Sequence, residues 1–125
     1  MPNLFLVMLG GAVGAGARYL VGRATLAWWG PGYPWGTLAV NVLGGFAMGT
    51  LAGTLSRFGN GGETWRLLLG VGVLGGFTTF SAFSLDVIVM MERGDWPMAF
   101  GYILISVLGA LAALMAGLSL MRAVA

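Results

Sequence analysis

Residues 67–85 read LLLGVGVLGGFTTFSAFSL, from Leu67 through Gly75-Gly76-Phe77-Thr78-Thr79-Phe80 to Leu85, with no charged side chain. At 1.5 Å rise per residue a helix of this length reaches about 30 Å, the thickness of a bilayer's hydrocarbon core. Its middle, however, resists helix: paired glycines are followed by two β-branched threonines and then serine, all weaker helix formers than leucine. The stretch therefore predicts a transmembrane helix broken at mid-membrane near residues 75–79, with a Ser or Thr able to cap the new start. Non-helical backbone at that depth leaves polar groups without partners, and it is tolerated only when buried in protein or facing a watery cavity. Broken membrane helices often mark ion sites. The competing expectation is a kinked packing helix whose hydroxyls bond back to the preceding turn.

Working outward, three more stretches lack charge: Met1 to Ala17, Ala24 to Ser56 and Trp96 to Met121. With 58% hydrophobic and 8% charged residues among 125, the chain is far more apolar than a soluble domain. An all-α membrane protein of four transmembrane helices is expected, at about 4–26, 35–55, 64–91 and 96–122, forming a single transmembrane domain over 1–125. The aromatic and Pro/Gly-rich segment from Trp28 to Trp35 is expected to connect the first two spans at headgroup level. The first apolar run ends in Ala15-Gly16-Ala17, as a secretory signal does. No Lys or Arg precedes it, so it is expected to stay as a span. The absence of Cys and His excludes disulfide, thiolate and imidazole chemistry. A net charge of +2 carried by scattered arginines forms no basic patch, so nucleic acid is not an expected partner.

Four spans place both termini and the Arg57–Arg66 loop on one side of the membrane. That side carries Arg57, Arg66, Arg122 and the terminal amine, against Arg23 and Arg93 on the other, with Arg18 one turn deeper. Orientation normally follows an excess of Lys and Arg in cytoplasmic loops. Here the balance is near even, so both dual topology with an antiparallel homodimer and a single orientation remain open. Glycine is abundant, 23 residues, and recurs at four-residue spacing: Gly10 and Gly14; Gly45, Gly49 and Gly53; then Gly109, Ala113 and Gly117. Such lines predict close helix packing, because small residues let backbones approach where lipid supplies no hydrophobic drive.

Polar side chains within the spans are few. Phe80 and Phe83 share a face of the second half-helix, as do Ser81 and Ser84. Phenylalanine in a membrane ordinarily faces lipid or core, but the positive edge of its ring can also favour an anion. Thr37 and Asn41 are adjacent by spacing, as are Tyr102 and Ser106. An asparagine at mid-membrane needs a partner, either a neighbouring helix or a passing ion. Together these groups supply donors able to replace an anion's water shell. Arg18 either draws anions to a vestibule, pairs with Asp86 or anchors at the interface.

Three motifs now combine: Gly10-Gly11-Ala12-Val13-Gly14-Ala15-Gly16-Ala17-Arg18-Tyr19, Gly36-Thr37-Leu38-Ala39-Val40-Asn41 and Gly75-Gly76-Phe77-Thr78-Thr79-Phe80-Ser81. Jointly they resemble the Fluc family of bacterial fluoride channels, also called the CrcB family, over essentially the whole chain. The resemblance implies an antiparallel dual-topology homodimer in the bacterial inner membrane, with two pores that passively export toxic fluoride. It implies that Phe80 and Phe83 line each pore by their ring edges, that Asn41 donates to fluoride, and that Tyr102 and Ser106 extend a polar track. It further implies a structural Na+ at the dimer centre, held by the main-chain carbonyls of Gly75 and Thr78 from each subunit. Ala82 stands where some members of that family carry a hydroxyl residue, and Ala110 likewise extends no polar track beyond Ser106.

The rival reading is a small dual-topology multidrug transporter, which needs an acid deep in the membrane. The first helix has none, and Asp86 lies in the wrong part of the chain for that scheme. An enzyme is not expected: without His, only Asp86 is placed to activate Ser81 or Ser84.

Overall fold

A largely apolar sequence, charged only at Arg18 and Arg23, carries α1 from Pro2 to Trp29, a proline at its first position leaving no amide there unpaired. Trp28 and Trp29 thus belong to the helix and not to the connection expected from sequence. The physical stop is Gly30, whose φ of +75° is a left-handed conformation that ends a helix and suits glycine alone. A short turn brings Trp35 onto the end of α1, where its ring lies 5.5 Å from that of Trp29. Helix α2 follows, Trp35–Leu55.

The computed structural model describes residues 2–57 and 62–124, and among them every regular element is a helix. The terminal amine used in the charge count, and residues 58–61 in the middle of the Arg57–Arg66 loop, lie outside these residues. The third span, Gly62–Glu92, is composite. It opens with α3 (Gly62–Trp65) and widens into a π-helical segment, Arg66–Leu74. It tightens again as α4 (Gly75–Phe77) and, after an interval, resumes as α5 (Ser81–Glu92). In the π-helical segment Gly75 N–H bonds to the carbonyl five residues back, at Gly70, a geometry rare in proteins and frequent near functional sites. Gly94, φ +85°, turns the chain into α6, Trp96–Ala123. Four described helices are therefore long and apolar enough to cross a membrane. Large apolar side chains such as Leu104, Leu108 and Met115 point outward from α6, where water would disfavour them and lipid would not.

Two glycine seams hold the bundle. α1 lies on the π-helical segment and α4, while α2 lies on α6. A Cβ on Gly10 would stand 2.5 Å from the Leu68 carbonyl oxygen, and one on Gly76 equally close to the Gly11 oxygen. On the other seam, a Cβ on Gly45 would stand 2.8 Å from Ala110 O. The obstructing atoms are backbone and cannot swing aside. Gly10→Ala is accordingly expected to lower stability by about 3 kcal/mol, the upper part of the overpacking range. Gly16→Ala, with nothing within 4 Å of its added carbon, should melt like the native chain. Thermal unfolding of the two variants in detergent checks the contrast.

Candidate functional site

In an unbroken helix each N–H serves the carbonyl four residues back. Between α4 and α5 that pattern fails in an orderly way. Thr78 N–H still reaches Leu74 O at 3.0 Å, but Thr78 itself is extended, with φ −85° and ψ 159°. Thr79 N–H, which a helix would aim at Gly75 O, donates instead to Asn41 Oδ1 at 2.9 Å. Asn41 Nδ2 donates back to Thr79 O at 3.0 Å. Ala82 N–H, the helical partner of Thr78 O, donates to Thr79 Oγ1 at 3.1 Å and so caps α5. Gly76 O receives Arg18 Nε at 3.2 Å. The carbonyls of Gly75 and Thr78 are thereby left without their usual helical donors. Two of the compensating groups come from residues that the fold had to bring there, Asn41 on α2 and Arg18 on α1, while the third, the Thr79 hydroxyl, is local.

Two cavities meet at this interval. The wider, about 590 Å³, lies among α1, α2 and α5, and its wall includes Arg18, Arg23, Thr37, Asp86 and Arg93. The narrower, about 360 Å³, runs between α2 and α6, and Asn41, Phe80, Phe83 and Ser106 face it. The rings of Phe80 and Phe83 are 5.8 Å apart between centroids, tilted by 45°. Phe83 in turn lies 5.2 Å from Tyr102. Ser106 Oγ is buried and has no hydrogen-bond partner among the described residues. An unsatisfied buried hydroxyl costs about 1–3 kcal/mol, and it is a group available to a ligand.

The residues singled out from sequence separate into distinct roles. Asn41, Phe80, Phe83 and Ser106 share the narrow groove. Thr37 and Arg18 face the wide cavity. Tyr102 is fully buried and its hydroxyl donates to Asp86 at 3.0 Å, which gives Asp86 a partner other than Arg18. Ser81 is exposed, 3.3 Å from Thr79 Oγ1, and Ser84 Oγ donates back to Phe80 O at 2.9 Å. Neither serine lines either cavity. Gly75 is exposed on the subunit surface and Thr78 half-buried. Sequence reasoning expected a Ser or Thr to cap the new start without naming Thr79, whose hydroxyl accepts from the Ala82 amide. The available signal was its place three residues before Ala82, the spacing of a hydroxyl that caps a helix start.

Chemically the narrow groove offers a carboxamide, a hydroxyl and two phenyl rings without a fixed cation, while arginines line the wider space beside it. Such a pair of spaces suits an anion that is gathered by charge and then handled by hydrogen bonds.

A family model described as CrcB-like protein, Camphor Resistance (CrcB), matches residues 5–118. A relative from Phenylobacterium zucineum is 62% identical over 125 residues, covering 99% of this chain and 98% of its own. One from Sphingopyxis alaskensis is 59% identical over 122 residues, covering 98% and 97%. Another, from Rhizobium etli, is 52% identical over the full length of both chains. All three relatives carry the name fluoride-specific ion channel FluC.

Proposed function

The chain belongs to the CrcB-like family, and we propose that it is a fluoride-selective channel which lets the anion leave the bacterial cytoplasm passively across the inner membrane. The observation that carries this reading is the narrow groove, where Asn41, Phe80, Phe83 and the unpartnered Ser106 hydroxyl converge beside the interrupted helix. Full-length relatives named as fluoride channels support it.

Fluoride is small and strongly hydrated, so a pore must replace its water shell at close range. Hydroxyl, carboxamide and aromatic C–H edges do so without holding the ion as a fixed ammonium would, which allows entry, short residence and exit. Arg18 is held by Gly76 O, and it raises the local anion concentration in the wide cavity without entering the groove. Hydrogen fluoride enters cells as a neutral acid and dissociates there. A passive path then releases the trapped anion down its electrochemical gradient.

The working assembly in this proposal is an antiparallel homodimer with two pores, the interruptions lying at mid-membrane. Two features support it: the near-even arginine count across the membrane and the exposed Phe80 ring, 78% accessible on one subunit. A second copy would cover that ring and close the groove's open side. The same proposal places a structural Na+ where the subunits meet. The carbonyls of Gly75 and Thr78 fit such an ion, because their usual helical donors are engaged by Asn41 and by Thr79 Oγ1. Hard cations favour oxygen ligands. When bound, the ion supplies positive charge that holds these oxygens together. Ser81, Ser84, Tyr102 and Thr37 belong to the polar surroundings of the path in this reading, Tyr102 through its bond to Asp86.

Purified protein in liposomes, loaded with fluoride or with chloride, tests the function. Fluoride is expected to leave rapidly on relief of the electrical gradient, and chloride to stay. Equal release of both halides, or of neither, overturns the selectivity.

A further inference from the structure

Among the described residues Thr79 alone lines both the arginine-bordered cavity and the narrow groove. It stands at the wall between the two spaces. Its backbone is clamped by Asn41 through both N–H and C=O, and its side chain is fixed by the Ala82 amide. A hydroxyl carries one hydrogen and two lone pairs. Ala82 N–H uses a lone pair of Thr79 Oγ1, so the hydrogen is left to be given away. The nearest hydroxyl that could take it is Ser81 Oγ at 3.3 Å, longer than the usual O–H···O range of about 2.5–3.0 Å. Asn41 Nδ2 likewise spends one hydrogen on Thr79 O and keeps the second. Two unspent donors thus sit together, on groups that the reciprocal bonds hold rigid.

From this we infer that the Thr79 hydroxyl is a fluoride ligand at the threshold, donating to the anion as it passes from the wide cavity into the groove. The inference rests on the fluoride-channel reading and adds to it a residue whose contribution is distinct from the aromatic pair. Donation from an already hydrogen-bonded hydroxyl is strengthened by polarisation, since the amide that binds its oxygen leaves its hydrogen more positive. Rigid placement also spares the ordering cost that a free side chain would pay at each passage.

The test is fluoride efflux from liposomes with three variants and the native chain. Thr79→Ser keeps the hydroxyl and should pass fluoride within threefold of native. Thr79→Val keeps the shape but has no donor, and should be at least tenfold slower, with its detergent elution volume unchanged. Thr79→Asp keeps a good cap for α5, offers no donor when ionised, and should be at least a hundredfold slower. A Val variant within threefold of native overturns the inference, as does a Ser variant as slow as Val. If the Val variant does not yield folded protein, the Asp variant decides, and efflux within tenfold of native is fatal to the idea. Failure of the native chain to pass fluoride at all would remove the channel reading itself, whereas a conducting native chain beside a conducting Val variant removes only the role of Thr79.

Discussion

Asn41→Ala is expected to abolish fluoride efflux, with a loss of at least a hundredfold, and to destabilise the protein. The carboxamide does two things at once. It accepts from Thr79 N–H and donates to Thr79 O, 38 residues away along the chain, and both bonds vanish with the side chain. Each backbone group left unpaired inside a protein costs about 1–3 kcal/mol, and lipid offers no water in recompense. The interval between α4 and α5 can then recover its hydrogen bonds only by winding back towards helix, with Thr79 N–H returning to Gly75 O. Rewinding would carry Phe80 and Phe83 off the groove. Efflux assays paired with thermal melting check both effects, and an Asn41→Ala channel that conducts and melts normally refutes the clamp.

Phe80→Ile carries the second large effect, with the opposite signature. The ring is 78% exposed on the subunit and lies at the mouth of the groove beside Phe83. Isoleucine has comparable bulk without the ring's positive edge, so packing within the subunit should change by less than about 1 kcal/mol, as for most exposed substitutions. Efflux should nevertheless fall at least tenfold, because an aliphatic surface gives the anion nothing in place of its lost water. The informative measurement sets flux against melting temperature in the same preparation. Loss of both together would mean that the ring is a packing element, and unchanged flux would mean that ring edges lie off the path.

The contrast between these two residues shows why part of the site could be read from the chain and part could not. Phe80 and Phe83 were legible because three-residue spacing on a helix puts two rings on one face, a local rule that the 5.8 Å separation obeys. The need of Asn41 for a partner was legible too, since an amide in the membrane interior must be satisfied. Its partner was not, because nothing in Gly36-Thr37-Leu38-Ala39-Val40-Asn41 names Thr79. The glycine pair at 75–76 marked the neighbourhood of the interruption, but helical backbone continues through Gly75–Phe77 and is lost at Thr78–Phe80. Gly76 is committed to close packing against Gly11, a contact made best from helix. Departure from helix begins where Asn41 competes for the backbone. The Ser84 hydroxyl, adjacent to that of Ser81 by spacing, is diverted to the Phe80 carbonyl, a local choice that spacing does not reveal.

What residue order settles here is everything governed by neighbours within a turn or two: four apolar spans, glycine seams at four-residue intervals, a weak point in the third span and an aromatic pair after it. Those features follow from transfer into lipid and from helix geometry, and both act on short stretches. Tertiary structure alone decides that Asn41 clamps Thr79, that Arg18 serves Gly76 O and not Asp86, that Tyr102 holds Asp86, and that Ser106 faces the groove unpaired. The reason is physical. In a medium without water the partners open to a buried polar group are the few that the fold brings within 3 Å or so, and whether one is met, as for Asn41, or none among the described residues, as for Ser106, belongs to the packing of helices.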